Sequence, residues 1–222
     1  MKIDCISDLH GYFPELPGGD LLILAGDYTG SGKTSEWCDF FNWLKKQNYS
    51  KKIVVAGNHD NLMFDGFFKT LKEADELKEI NEFLHHTEDF EYLCDSGTIY
   101  EGLSIWGTPW TTWFHGVNPK CKYFMIGEST LAKKFEKIPY NLDILISHGP
   151  PHGILDMNYA RVHCGSIKLR QNMILKDPKY IICGHIHEWG GKEIDLVMTK
   201  VINCSYVDEN YRPVNKIMSF EI

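Results

Sequence analysis

Along this chain, mostly apolar residues gather in short runs that stop abruptly at glycine, aspartate, asparagine or histidine. Residues 2–7, 21–25, 52–56, 142–147 and 180–183 form such runs, too short for helices and bounded by turn residues. They read as strands, the continuous ones buried on both faces. Residues 35–46 differ, because Trp37, Phe40, Phe41 and Leu44 recur at helical spacing behind Thr34 or Ser35 as an N-cap. Further helices are predicted over 73–84, 129–138 and 166–174, a hairpin over 98–106 around Gly102, and strands over 201–204 and 217–222. His85 and His86, closing the 73–84 helix, read as surface residues that complement its dipole. Strand, polar stop, helix, strand implies an α/β fold with parallel strands and crossover helices, in which ligands bind beyond the carboxyl ends of the strands. No internal repeat or Pro/Gly/Ser-rich linker divides the chain, so residues 1–222 are expected to form a single domain.

Composition narrows the functional classes. An apolar content of 43% suffices for a full core, and a formal net charge of −7 with scattered lysines leaves no footprint for long nucleic acid. Seven cysteines, an odd number without a Cys-x-x-Cys pair and several inside apolar runs, point to a reducing compartment. The N-terminal segment carries Asp4 within a very short apolar stretch, which is no signal peptide, and no run reaches membrane-spanning length. The expectation is a cytoplasmic protein with no membrane partner.

The polar stops carry the chemistry. Five strand ends offer Asp8 and His10, Asp27, Asn58 and His59, His148, and His185 with His187. Two imidazoles at i and i+2 of an extended segment leave the strand on the same side, which suits two adjacent ions. The donors are oxygen and nitrogen with no thiolate, as hard to borderline divalent cations prefer and as a structural zinc site built from cysteines does not. Any one of these motifs alone is ordinary turn chemistry. All of them at the ends of apolar runs point to one site.

The ordered motifs Asp8-Leu9-His10, Gly26-Asp27, Gly57-Asn58-His59-Asp60, Ser147-His148-Gly149 and Gly184-His185-Ile186-His187 resemble those of the calcineurin-like metallophosphoesterases over nearly the whole chain. Leu24-Ala25-Gly26-Asp27, Gly107-Thr108-Pro109-Trp110, His148-Gly149-Pro150-Pro151 and His187-Glu188 look most like the small branch of metallophosphoesterase-domain proteins. The resemblance implies a two-sheet β-sandwich flanked by helices, four layers α/β/β/α. It implies that Asp8, His10, Asp27 and His187 hold one cation and Asp27, Asn58, His148 and His185 another, manganese first, with iron, nickel, zinc or magnesium as alternatives. It also implies a metal-dependent phosphoesterase, most of all a phosphodiesterase acting on a small nucleotide or similar ester through a metal-bridging hydroxide. His59 would stabilise the transition state or protonate the leaving oxygen, and Asp60 would orient its ring, a capping or turn role being the alternative. The alternatives are a nuclease or phosphomonoesterase of the same fold, or a non-catalytic metal-binding scaffold.

Other residues offer weaker signals. Gly30-Ser31-Gly32-Lys33-Thr34 resembles the end of a phosphate-binding loop, but position 27, where the first glycine belongs, is aspartate. His152, Arg161 and His163 precede the helix near Ser166, and a helix N-terminus with nearby cations is a ready phosphate site, so they are weak candidates for substrate contacts, solvated loop residues being the alternative. Trp110, with Trp113 and Phe114, is a candidate to line the mouth and stack a base, packing against the sheet being the alternative.

Overall fold

The computed structural model describes residues 1–64, 90–113 and 121–222, so the expected 73–84 helix, His85, His86 and Phe114 lie outside the described residues. In chain order the elements are β1 (Lys2–Ile6), β2 (Gly19–Leu24), α1 (Thr34–Lys46), β3 (Tyr49–Val54), β4 (Glu91–Tyr92), β5 (Ser96–Tyr100), β6 (Leu103–Thr108), β7 (Thr111–Thr112), β8 (Met125–Ile126), α2 (Glu128–Phe135), β9 (Ile144–Ser147), α3 (Ile167–Lys176), β10 (Tyr180–Cys183), β11 (Lys192–Asp195), β12 (Lys200–Asn203) and β13 (Met218–Glu221).

Side-chain alternation along the strands sorts the core into three layers. Ile3, Cys5, Leu21, Ile23 and Ile53 turn one way and meet Ile105, Ile144, Ile146, Ile182 and Ile202 between two sheets. Their neighbours Ile6, Leu22, Leu24 and Val54 turn the other way, onto Trp37, Phe40, Phe41 and Leu44 of α1. Leu145, Ile181 and Val201 leave the second sheet outward, onto Leu131 and Phe135 of α2 and Leu169 and Met173 of α3. Runs such as residues 21–25 are continuously apolar because both faces are covered. The layers are α/β/β/α, as the motif resemblance implies.

The first sheet runs β13-β1-β2-β3-β4 and the second β11-β12-β10-β9-β6-β5. β1, β2 and β3 are parallel, as are β6, β9, β10 and β12, so their carboxyl ends share one rim. The two sheets are laced together there: Ser7 N–H donates to Cys204 O at 2.9 Å and Tyr206 N–H to Ser7 O at 2.8 Å.

One local expectation changes, and β11 is a strand that the sequence reading did not predict. α1 is capped by neither hydroxyl; Lys33 holds the cap position, and the Glu36 carboxylate accepts from Lys33 N at 2.8 Å and Ser31 N at 3.1 Å. β11, with all four residues exposed, is an edge strand whose Lys-Glu-Ile-Asp sequence carries no burial pattern to announce it.

Candidate metal centre

Ser7-Asp8 follows β1, Gly26-Asp27 follows β2 and Gly57-Asn58-His59 follows β3, while His148 and His185 follow β9 and β10. Backbone hydrogen bonds bind these ends to one another: Asp8 N to Gly26 O (2.8 Å), His10 N to Asp27 O (3.1 Å) and Gly184 N to His148 O (2.9 Å). The junctions turn sharply. Asp8, His10, Asp27 and His185 have φ of 52°, 44°, 58° and 68°, left-handed conformations that cost roughly 1 kcal/mol or more apiece for a side-chain-bearing residue. Gly184 and Gly57 make room, because a Cβ on Gly184 would strike the Asp8 carboxylate and the Ser7 hydroxyl, and one on Gly57 the Asp27 carboxylate.

Asp27 is the hub. Its Oδ2 lies 3.4 Å from His148 Nε2 and 3.9 Å from the Nε2 atoms of His10 and His59, while Oδ1 accepts from His59 N at 2.9 Å. Asp8 lies on one side, with Oδ1 3.1 Å from His187 Nε2 and Oδ2 accepting from Ser205 Oγ at 2.8 Å. His187 Nε2 is in turn 3.3 Å from His10 Nε2. On the other side Asn58 Oδ1 is 3.1 Å from His148 Nε2, and His185 stacks edge-on to His148 at 5.0 Å. Donor atoms of Asp8, His10 and His187, of His10, Asp27 and His59, and of Asp27, His148 and His185 converge within 4.8 Å in each group. All seven side chains named from the sequence as candidate ligands are thus brought together.

The donor set fits divalent cations on its own chemistry. Nδ1 of His10, His59, His148 and His187 faces the carbonyls of Thr29, Gly30, Ala25 and Asp208 at 3.2, 2.9, 2.8 and 3.2 Å. A ring nitrogen against a carbonyl carries its proton, so the lone pair of the neutral ring sits on the inward Nε2. Asn58 Nδ2 donates to Cys121 O at 3.2 Å, leaving its oxygen for the cage.

Charge is balanced internally. Burial works against ionisation of Asp27 and Asp8, but the neighbouring imidazoles, His148 and His187 foremost, hold both carboxyls well below their usual range. Burial likewise opposes a charged His148, yet the Asp27 and Asp8 carboxylates bring it up to about 10, and Asp8 raises His187. Burial keeps His10 and His185 down at about 3. A cation coordinated by Nε2 of His148 must therefore expel a proton. Apparent Mn²⁺ affinity is expected to rise with pH, by up to about tenfold per unit for each proton released. Titration calorimetry in buffers of different ionisation enthalpy checks this, and a heat independent of buffer would refute it.

Several assignments from the sequence change. Asp60 does not orient His59: its carboxylate accepts from the backbone N–H groups of Gly57 (2.7 Å), Asp27 (2.8 Å) and Tyr28 (3.0 Å), and Gly30 O holds the His59 ring instead. Burial and the Asp27 charge push the Asp60 carboxyl up to about 7. Trp110 is half-buried, donating to Asp95 at 2.9 Å beneath the Lys134 ammonium, which sits 3.9 Å from its ring centroid. It does not line the metal-side cleft.

The α3 N-terminus offers no anion site, because the Glu128 carboxylate accepts from Ile167 N at 2.9 Å and Lys168 N at 3.0 Å. His152 and His163 line a neighbouring cleft that shares Asn158 with the metal-side cleft, and His163 is tied to Asp156 at 2.7 Å. Arg161 is exposed and lines neither of these clefts.

The metal-side cleft holds about 170 Å³ and is lined by Asp27, Asn58, His59, His185 and His187 together with Tyr159, Glu188, Glu209 and Tyr211. None of those last four was named as a site residue from the sequence, since none ends an apolar run, although Glu188 belongs to the His187-Glu188 pair. The Tyr211 ring stands edge-on to His10 at 4.8 Å and to His187 at 5.1 Å.

The family model described as Calcineurin-like phosphoesterase matches residues 1–189. Human metallophosphoesterase domain-containing protein 1 is 36% identical over 95% of this chain and 68% of its own length. A Caenorhabditis elegans UPF0046 protein is 34% identical over all of this chain and 60% of its own. In fold, the chain is similar to TT1561 of Thermus thermophilus, with a TM-score of 0.61, 16% identity and coverage of 99% and 97% of the two chains. It is also similar to phosphopantetheinyl hydrolase from Mycobacterium tuberculosis, with a TM-score of 0.56, 16% identity and coverage of 95% and 90%.

Proposed function

The chain belongs to the calcineurin-like phosphoesterase family, and from that premise we propose that it is a phosphodiesterase that hydrolyses a small nucleotide or similar diester with two divalent cations. Asp8, His10, Asp27 and His187 would hold one cation and Asp27, Asn58, His148 and His185 the other. Manganese is the first choice, with iron, nickel, zinc or magnesium as alternatives. Bound there, the cations supply Lewis-acid polarisation of the phosphoryl oxygens and lower the pKa of water.

The remaining work falls to the chain. The observation that most supports this reading is the position of Asp27 Oδ2, with His148 Nε2 at 3.4 Å and His10 Nε2 at 3.9 Å brought in from different sheets. A ligand shared by two cations is best a carboxylate, whereas the neutral amide of Asn58 leaves the cage net positive towards a phosphate ester. His59 lines the cleft with Nδ1 tied to Gly30 O. In its imidazolium form its Nε2–H is placed to protonate the leaving oxygen. Asp60, through three backbone amides, acts as a positioning residue that holds the Asp27 and Asn58 turns in register. The odd number of cysteines without a Cys-x-x-Cys pair favours a reducing compartment, and on that ground we place the protein in the cytoplasm.

With Mn²⁺ added, purified protein is expected to hydrolyse bis(p-nitrophenyl) phosphate, and EDTA to stop it. Absence of turnover with every one of the five metals would overturn the reading and favour a non-catalytic metal-binding scaffold.

A further inference from the structure

The cleft that reaches the metal cage carries its own charge pattern. Asp27, Asn58, His59, His185 and His187 line its inner part, and Glu188, Glu209, Tyr159 and Tyr211 line it as well. Among the described lining residues there is no lysine or arginine. Glu188 is anchored, with Oε1 accepting from the Tyr159 backbone N–H at 2.9 Å, so its carboxylate is fixed beside that residue. Tyr211 is held by the Asp208 turn, through Tyr211 N to Asp208 O at 2.8 Å, and stands beside His10 and His187.

Two divalent cations among Asp8 and Asp27 would leave the cage about two positive charges, or one with a hydroxide bound, enough for the single charge of a diester. A second anionic group on the substrate would lie outside the cage, near Glu188 and Glu209, with no basic side chain in the described lining to meet it. A cationic group there would meet carboxylates and tyrosine faces, the usual setting for ammonium recognition.

Building on the phosphodiesterase reading, we propose that Glu188 and Glu209, with Tyr159 and Tyr211, form a charge filter at the mouth of the cleft. The filter selects diesters whose only negative charge is the phosphate and whose second alcohol is neutral or cationic. Cyclic nucleotides and nucleoside or amino-alcohol diesters satisfy it. Nucleoside polyphosphates and oligonucleotides do not.

Three p-nitrophenyl diesters share one leaving group and differ in the second alcohol: choline, propanol or 3-hydroxypropionate. With Mn²⁺ at low salt, kcat/KM for the choline ester is expected to exceed that for the carboxylate ester by about tenfold or more, with the propyl ester between. The ratio falls towards one in Glu188→Gln/Glu209→Gln, whose amide oxygens still accept the same hydrogen bonds, and in about 0.5 M NaCl. A ratio below about 2 in the parent, or one unchanged in the double variant, overturns the filter. If the double variant does not fold, Glu209→Gln alone, at an exposed position, provides the comparison. If none of the three esters is turned over, the phosphodiesterase reading falls on its own. Kd values for the same three compounds from titration calorimetry then decide the filter, equal values refuting it.

Discussion

Replacing Asp27 with asparagine is expected to strip the protein of metal and lower phosphodiester turnover by about 10⁴-fold or more, roughly 5 kcal/mol of transition-state stabilisation. The cause would be that one carboxylate serves both proposed cations. Asp27 Oδ2 has His148 on one side and His10 on the other, so losing its charge weakens both halves of the cage at once, whereas a change at His187 or His185 touches one. The fold should survive. Asparagine tolerates the left-handed φ of 58° that this position adopts. Its carbonyl oxygen can keep the hydrogen bond from His59 N, and the backbone amide of residue 27 stays on the Asp60 carboxylate. Elemental analysis of the dialysed variant beside its circular dichroism spectrum makes the check. Two ions per chain in a folded Asp27→Asn protein would remove Asp27 from the bridging position, whatever happened to activity.

The parts of this site that could be read from the sequence share one physical property: each ends a strand buried on both faces. Runs such as residues 21–25 have no solvent-facing positions to interrupt them, so the first polar residue marks where the strand leaves the core. On a parallel sheet that is the rim where ligands bind. Asp27, Asn58, His148 and His185 were visible for that reason.

What stayed hidden depends on contacts between distant segments. Asp60 sits beside His59 in sequence, but its carboxylate serves backbone amides of Asp27 and Tyr28 over thirty positions away. The N-terminus of α3 looks open to an anion until Glu128 closes it from α2. Trp110 reads as a mouth residue because indoles often are, whereas Asp95 and Lys134 settle it against the sheet. Tyr211 occupies an exposed polar turn, and only the fold carries that turn to His10 and His187. The strained φ values at Asp8, His10, Asp27 and His185 have no sequence signature except the glycines beside some of them.

His59 poses the sharper question, because it sits as close to the hub as a ligand does. Its Nε2 is 3.9 Å from Asp27 Oδ2, the same separation as His10 Nε2, and donor atoms of His10, Asp27 and His59 fall in one group. What separates it from His10 is that His59 lines the cleft, as the ligand candidates Asp27, Asn58, His185 and His187 also do, although the two side chains are almost equally buried, 6% and 2% exposed. His59→Ala is therefore expected to retain the parent's metal content, since the backbone hydrogen bond from residue 59 to Asp27 Oδ1 does not need the ring. Its kcat should fall by about 10²–10⁴-fold on a diester with an alkyl leaving group, with KM changed little. On a p-nitrophenyl ester the loss should shrink to about tenfold, because nitrophenolate departs without needing a proton. Equal losses on both esters would assign the ring to the charge on the phosphoryl oxygens instead of to the leaving group. Loss of one ion per chain would make His59 a ligand, and the geometry around Asp27 would then have to be divided among three imidazoles rather than two.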